Sequence, residues 1–139
     1  MAAAGDVRGE RPHVLIVEDS SLVSDAMRIL FEASAHRVTT AASVAEAIKA
    51  HADDPADLVL LDLTLPDGDG LAVLAAAATT ATARGTVFVA LTGRDDPATR
   101  ERCLAAGCAD VLVKPVPARE LVARSRALLA RDSAGARPA

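Results

Sequence analysis

The sequence predicts an α/β fold: five β-strands alternating with five helices in one doubly wound parallel sheet of (βα)5 type. Three observations carry this. Short apolar runs recur at 13–17, 58–61, 86–91 and 110–113, and the central one, Leu58-Val59-Leu60-Leu61, shows no polar alternation, as a strand covered on both faces requires. Stretches with helical apolar spacing or helix-capping patterns lie between the runs. Each strand then stops at a polar residue, where open α/β sheets place their ligands. The 139 residues, 51% of them apolar, fit one domain.

Taken in order, residues 1–12 are rich in Ala, Gly and charge and read as a flexible N-terminal segment. Strand 13–17 ends in Glu18-Asp19. Asp19 or Ser20 can cap the next helix, where Val23, Ala26, Met27 and Leu30 form an apolar face. Residues 36–40 read as a shorter edge strand. Ser43 with Glu46 is a capping box, opening a helix that runs to about Ala52 and breaks at Asp53-Asp54-Pro55. The central strand ends in Asp62, and Pro66, Gly68 and Gly70 mark a loop. An Ala-rich helix follows over 71–81, with Gly85 closing the connection. Strand 86–91 ends in Thr92-Gly93. Asp96-Pro97 pairs a cap with proline at the first helical position, and Gly107 suits a left-handed helix end. Strand 110–113 ends in Lys114-Pro115. Pro117 opens the last helix, whose apolar side includes Leu121 and Leu128, and 131–139 reads as a short flexible tail. The folded domain is therefore expected over 13–130.

Composition excludes several activities. A net charge of −4 and a pI near 5.3 argue against nucleic-acid binding as the main activity. No tryptophan or tyrosine is present to stack on bases. No apolar run is long enough to span a membrane, and residues 1–12 hold no signal-peptide core. The two cysteines, Cys103 and Cys108, lack a C-x-x-C spacing and read as small core residues in a reducing cytoplasm. His13, His36 and His51 show no ligand spacing and read as surface or strand-edge residues. Arg119, Arg124, Arg126 and Arg131 on the last helix read as a solvated face, or as a contact with Asp95, Asp96 or Glu101 of a second copy.

The strand ends carry the chemistry. In a flavodoxin-like strand order, 2-1-3-4-5, the reversal falls between the first and third strands, so Glu18, Asp19 and Asp62 become neighbours. Close carboxylates repel one another, and a hard divalent cation such as Mg²⁺ relieves this. Lys114 supplies a mobile positive charge and Thr92 a hydroxyl donor. Asp62 is the one good nucleophile in the set, with an aspartyl phosphate as its natural covalent product. Asp67 and Asp69 read as loop and cap residues.

Glu18-Asp19, Asp62 with Leu65-Pro66-Asp67-Gly68-Asp69-Gly70, Ala90-Leu91-Thr92-Gly93, Ala106-Gly107 and Lys114-Pro115 resemble the receiver domain of bacterial two-component response regulators. The resemblance covers about 13–130. It implies that Asp62 takes a phosphoryl group from a phosphohistidine on a histidine kinase or histidine phosphotransfer protein. It also implies that Asp19, Asp62 and the carbonyl of Thr64 bind Mg²⁺, with Glu18 acting mainly through water, and that Thr92 and Lys114 contact the phosphoryl group. The Lys114–Pro115 peptide is expected to be cis. Thr64 and Arg94, two residues beyond Asp62 and Thr92, should flank that group. Three residues before the lysine, where the family often carries an aromatic ring, stands Val111.

These readings make the chain a signalling module rather than a turnover enzyme. A haloacid-dehalogenase-type phosphatase needs a second Asp two residues after the nucleophile, where Thr64 stands. The alternative is a degenerate receiver-like interaction domain with phosphorylation-independent output, against which the intact acid set argues. No output domain is expected after the last helix, so the chain reads as a stand-alone regulator, a phosphorelay shuttle or an excised part of a hybrid kinase. Output is then contact with a downstream protein, by a monomer or weak homodimer.

Overall fold

A computed structural model describes residues 11–79 and 85–135, with side chains to residue 130. The N-terminal ten residues, the end of the helix expected to reach Ala81, and the last four residues of the expected tail lie outside the described residues.

The chain forms β1 (His13–Val17), α1 (Ser21–Ala33), β2 (Arg37–Ala41), α2 (Val44–Asp53), β3 (Leu58–Asp62), β4 (Thr64–Leu65), β5 (Gly68–Asp69), α3 (Leu71–Ala77), β6 (Val87–Thr92), α4 (Pro97–Ala106), β7 (Asp110–Val113) and α5 (Ala118–Gly135). Five strands make one parallel sheet in the order β2-β1-β3-β6-β7. This is the flavodoxin-like order expected, with β6 and β7 as its fourth and fifth strands. The short strands β4 and β5 pair as an antiparallel hairpin around Pro66 and Asp67. Two residues per strand are too few for alternation to show, so the sequence signalled only a loop there.

The sheet separates two cores. Leu15, Val17, Val59, Leu61, Phe88, Ala90 and Val111 pack with residues of α2, α3 and α4. Val14, Ile16, Leu58, Leu60, Val87, Val89, Leu91 and Leu112 pack with Met27 and Phe31 of α1 and Leu121 and Val122 of α5. The period of two along each strand sends successive side chains to opposite layers. Strands apolar at every position follow from that arrangement.

The caps form as their residues dictate. Ser20 Oγ accepts from Val23 N–H, Ser43 Oγ from Glu46 N–H, and Asp96 Oδ1 from Thr99 N–H, with Pro97 at the first helical position. Gly107 closes α4 at φ 120°.

Three expectations need correction. The face of α1 that meets the core is Ser24, Met27 and Phe31, not one containing Ala26, which is exposed. Ser24 hides its hydroxyl by donating to Ser21 O, so a polar residue occupies a core position. α5 continues to Gly135, past the expected boundary at 130, because no proline or glycine interrupts 131–134. The three histidines are buried, not at the surface. Backbone and side-chain partners permit this: His13 Nε2 pairs with Thr39 Oγ1 at 2.8 Å, His36 Nδ1 with Phe31 O at 3.2 Å, and His51 Nδ1 accepts from Ala56 N–H. Arg119, Arg124 and Arg126 are exposed, as a solvated face requires, and Arg124 is also paired. It binds Asp110 of its own chain at 2.7 Å.

Candidate functional site

The carboxyl ends of β1, β3, β6 and β7 converge at one rim of the sheet. Glu18 N–H donates to Ala41 O, extending the β1 pairing by one residue and fixing where Glu18 leaves the strand. Asp62 is the last residue of β3 and pairs in register with Leu91, one residue before Thr92. Lys114 N–H donates to Thr92 O at 2.8 Å, which ties the end of β7 to the end of β6. The Lys114–Pro115 peptide is cis, as expected.

Side chains complete the arrangement. Lys114 Nζ donates to Glu18 Oε1 and to Asp62 Oδ2, each at 3.1 Å. These partners lie 96 and 52 residues away in sequence. Asp62 Oδ1 accepts from Thr64 N–H at 3.1 Å, and Glu18 Oε2 accepts from Ser20 N–H at 3.1 Å. Glu18 and Asp62 are buried, whereas Asp19 is exposed. Thr92 is buried, and its Oγ1 accepts from Arg94 N–H at 3.0 Å. Burial works against the Lys114 charge, but its hydrogen bonds to Glu18 and then to Asp62 outweigh this and raise the ammonium above its usual range.

Glu18, Asp19 and Asp62 each offer an oxygen within 4.8 Å of the others. Lys114 balances only one of three formal negative charges. Hard oxygen donors, crowded and under-neutralised, fit a hard divalent cation of the Mg²⁺ type. No other such group of three ligands occurs among the described residues.

Two features escaped the sequence reading. A Cβ at Gly70 would lie 3.0 Å from the Asp62 carbonyl carbon and 3.1 Å from Leu63 Cα, and closer still to the Asp62 oxygen. Glycine is therefore required by the close passage of the backbone that carries Asp62. A cavity of about 470 Å³ also opens beside Glu18 and Lys114, walled by apolar residues including Val23, Met27, Leu91 and Leu121. The Val111 side chain packs in the core under α4, and Arg100 Nη1 donates to its carbonyl at 3.2 Å. Among the described residues, no helix is long and apolar enough to cross a membrane.

A parallel five-stranded sheet in this order, with acids, hydroxyl and ammonium at its carboxyl rim, defines a receiver-type module. The response regulator receiver domain matches residues 14–126, and the chain belongs to that family, the phosphoacceptor modules of two-component systems. It is 36% identical over 123 residues to the transcriptional regulatory protein KdpE of Mycobacterium tuberculosis, covering 88% of this chain and 53% of that protein. The chain thus spans about half the length of the curated relatives it matches. Among solved structures, it resembles the signal receiver domain of a putative LuxO repressor protein from Vibrio parahaemolyticus (TM-score 0.82, 25% identity, 89% of this chain and 94% of that one). It also resembles the receiver domain of the sensor histidine kinase PA1611 from Pseudomonas aeruginosa (TM-score 0.78, 27% identity, 86% and 98%), which has a magnesium ion coordinated in its active site cleft. Receiver domains bind Mg²⁺ at an acidic pocket and interact with histidine kinases or phosphotransfer proteins.

Proposed function

We propose that Asp62 is the phosphoacceptor, receiving a phosphoryl group from a phosphohistidine on a histidine kinase or histidine phosphotransfer protein. The observation that carries this is Lys114 Nζ at 3.1 Å from both Glu18 and Asp62. Lysine at that place pairs with the nucleophilic carboxylate and supplies positive charge beside it. An Asp62 oxygen attacks phosphorus, the P–N bond to the histidine breaks, and the imidazole leaves. As charge shifts onto the phosphoryl oxygens, Lys114 follows it, and the Thr92 hydroxyl donates to another of them. Asp19, Asp62 and the Thr64 carbonyl would hold Mg²⁺, with Glu18 acting through water. When bound, that ion neutralises the phosphoryl oxygens during transfer. Thr64 and Arg94 flank the group and govern access of the water that later hydrolyses it.

The chemistry is confined to the module's own phosphorylation and dephosphorylation, with no turnover of a free substrate. Phosphorylation biases a two-state equilibrium. Thr92 moves toward the phosphoryl group and carries the loop from Gly93 to Pro97 with it, so that α4 presents a different face to a downstream protein. Valine at 111 has no ring to rotate, so this loop is the route of transmission. The module works in the cytoplasm as a monomer or weak homodimer.

The test is intact mass after incubation with a small-molecule phosphodonor and Mg²⁺. One phosphoryl adduct, absent in Asp62→Asn, is expected. Wild-type protein that gains no adduct from any donor ends the proposal.

A further inference from the structure

The loop after Asp62 is anchored by a contact that its own sequence gives no reason to expect. Asp67 sits in the turn of the β4–β5 hairpin, yet its carboxylate reaches the start of α2. Oδ1 accepts from Val44 N–H at 2.8 Å and Oδ2 from Ala45 N–H at 3.1 Å. A helix leaves its first N–H groups without intrahelical partners. In α2, Ser43 Oγ satisfies that of Glu46. Those of Val44 and Ala45 are met from outside, by Asp67. The anion also lies at the positive end of the helix dipole. The two backbone donors, Val44 first, hold the Asp67 carboxyl below the usual carboxylate range.

We propose that Asp67 is a positioning residue for the metal site: by capping α2 from the neighbouring loop, it fixes the hairpin that carries Thr64. The proposal rests on the functional reading above, in which the Thr64 carbonyl holds Mg²⁺. Thr64 begins the hairpin, pairs with Asp69 across it, and donates its N–H to Asp62. Only Leu65 and Pro66 separate it from Asp67. Asp69 holds the other strand, accepting from Leu71 N–H at 2.8 Å and from Arg102 Nη1 at 2.8 Å. Both side chains of that ion pair are about half exposed, and such pairs contribute little. Asp67 takes two backbone donors from a distant helix, whereas the one backbone donor to Asp69, Leu71 N–H, lies two residues away and ties the loop only to its own continuation. Asp67 is therefore the firmer of the two anchors.

The experiment measures Mg²⁺ affinity by titration calorimetry, together with the melting temperature, in wild type, Asp67→Ala, Asp67→Asn and Ser43→Ala. Ser43→Ala removes a cap from the same helix without touching the hairpin. Asp67→Ala is expected to weaken Mg²⁺ binding by about tenfold, the lower end of what supporting groups around a metal contribute. Asp67→Asn, which keeps an acceptor oxygen, falls between and carries the comparison if the alanine variant does not fold. Ser43→Ala lowers the melting temperature and leaves Mg²⁺ affinity at the wild-type value. If the Asp67 variants lower only the melting temperature, or Ser43→Ala weakens Mg²⁺ equally, the positioning role is overturned while the functional reading stands. Wild-type protein that binds no Mg²⁺ overturns both.

Discussion

Gly70→Ala offers a sharp steric test of how the site is built. A Cβ there would sit 3.0 Å from the Asp62 carbonyl carbon and closer to its oxygen, inside the distance that real Cβ atoms keep. The obstacle is backbone, so no side-chain rotation relieves it. The Asp62 carbonyl or the start of α3 must retreat by about 1 Å, in an interior packed too densely to absorb it without loss. Overpacking of this kind costs about 1–3 kcal/mol of stability. The larger effect falls on chemistry, because a shift of about 1 Å at a reacting group costs about a hundredfold in rate. The assay is a time course of phosphoryl uptake by intact mass, with urea unfolding run in parallel. Gly93→Ala is the steric control for stability: a Cβ there meets nothing within 4 Å, and its backbone is not left-handed. Its stability should stay within about 0.5 kcal/mol of wild type. If Gly70→Ala matches wild type in both uptake and stability, the close-approach argument is refuted.

Lys114→Met leaves Glu18 and Asp62 without their shared counter-charge. Removing one partner of a buried pair costs about 3–5 kcal/mol; with 35% of the Lys114 side chain exposed, screening lowers the expected loss to about 2 kcal/mol. Mg²⁺ should then stabilise the variant more than wild type in urea unfolding, and equal gains would sink the charge-balance account. Burial, first among the causes, lowers both His36 and His51, with Arg126 opposing charge on His36 and His13 on His51. Their folded values lie below the unfolded value of 6.5, so their contribution is whole above pH 6.5 and is lost as pH falls below it. Each withdraws up to about 1.4 kcal/mol per pH unit; urea midpoints that stay flat from pH 7.5 down to 5.5 contradict this.

Much of the sheet was legible because its strands are apolar runs that stop at polar residues, and the right-handed crossover rule leaves few ways to connect them. Glu18, Asp62, Thr92 and Lys114 stood out because strand ends in a parallel sheet point one way. The histidines were misread because apolar patterning carries no sign of the partners that allow their burial: Thr39 reaches His13 from 26 residues away, and Phe31 O and Ala56 N–H meet one nitrogen each of His36 and His51 from 5. On α1 the expected face was right at Met27 and Leu30, which pack on the core, and wrong at Val23 and Ala26, which are exposed while Ser24 is buried. Asp67 looked like a local turn residue because nothing in its neighbourhood announces the start of α2, more than twenty residues earlier. Gly70 read as loop punctuation because close approach of two backbones has no sequence signature of its own.

The site straddles the two halves of the molecule. Along their strands, Glu18, Asp62 and Lys114 continue the series Ile16, Leu60 and Leu112, which belongs to the layer beneath α1 and α5. Thr92 continues the series Phe88 and Ala90, which belongs to the layer beneath α2, α3 and α4. The charged groups are thus rooted in one slab of the protein and the hydroxyl in the other. A pull on that hydroxyl therefore acts on the layer beneath α2, α3 and α4 before it acts on the layer beneath α1 and α5.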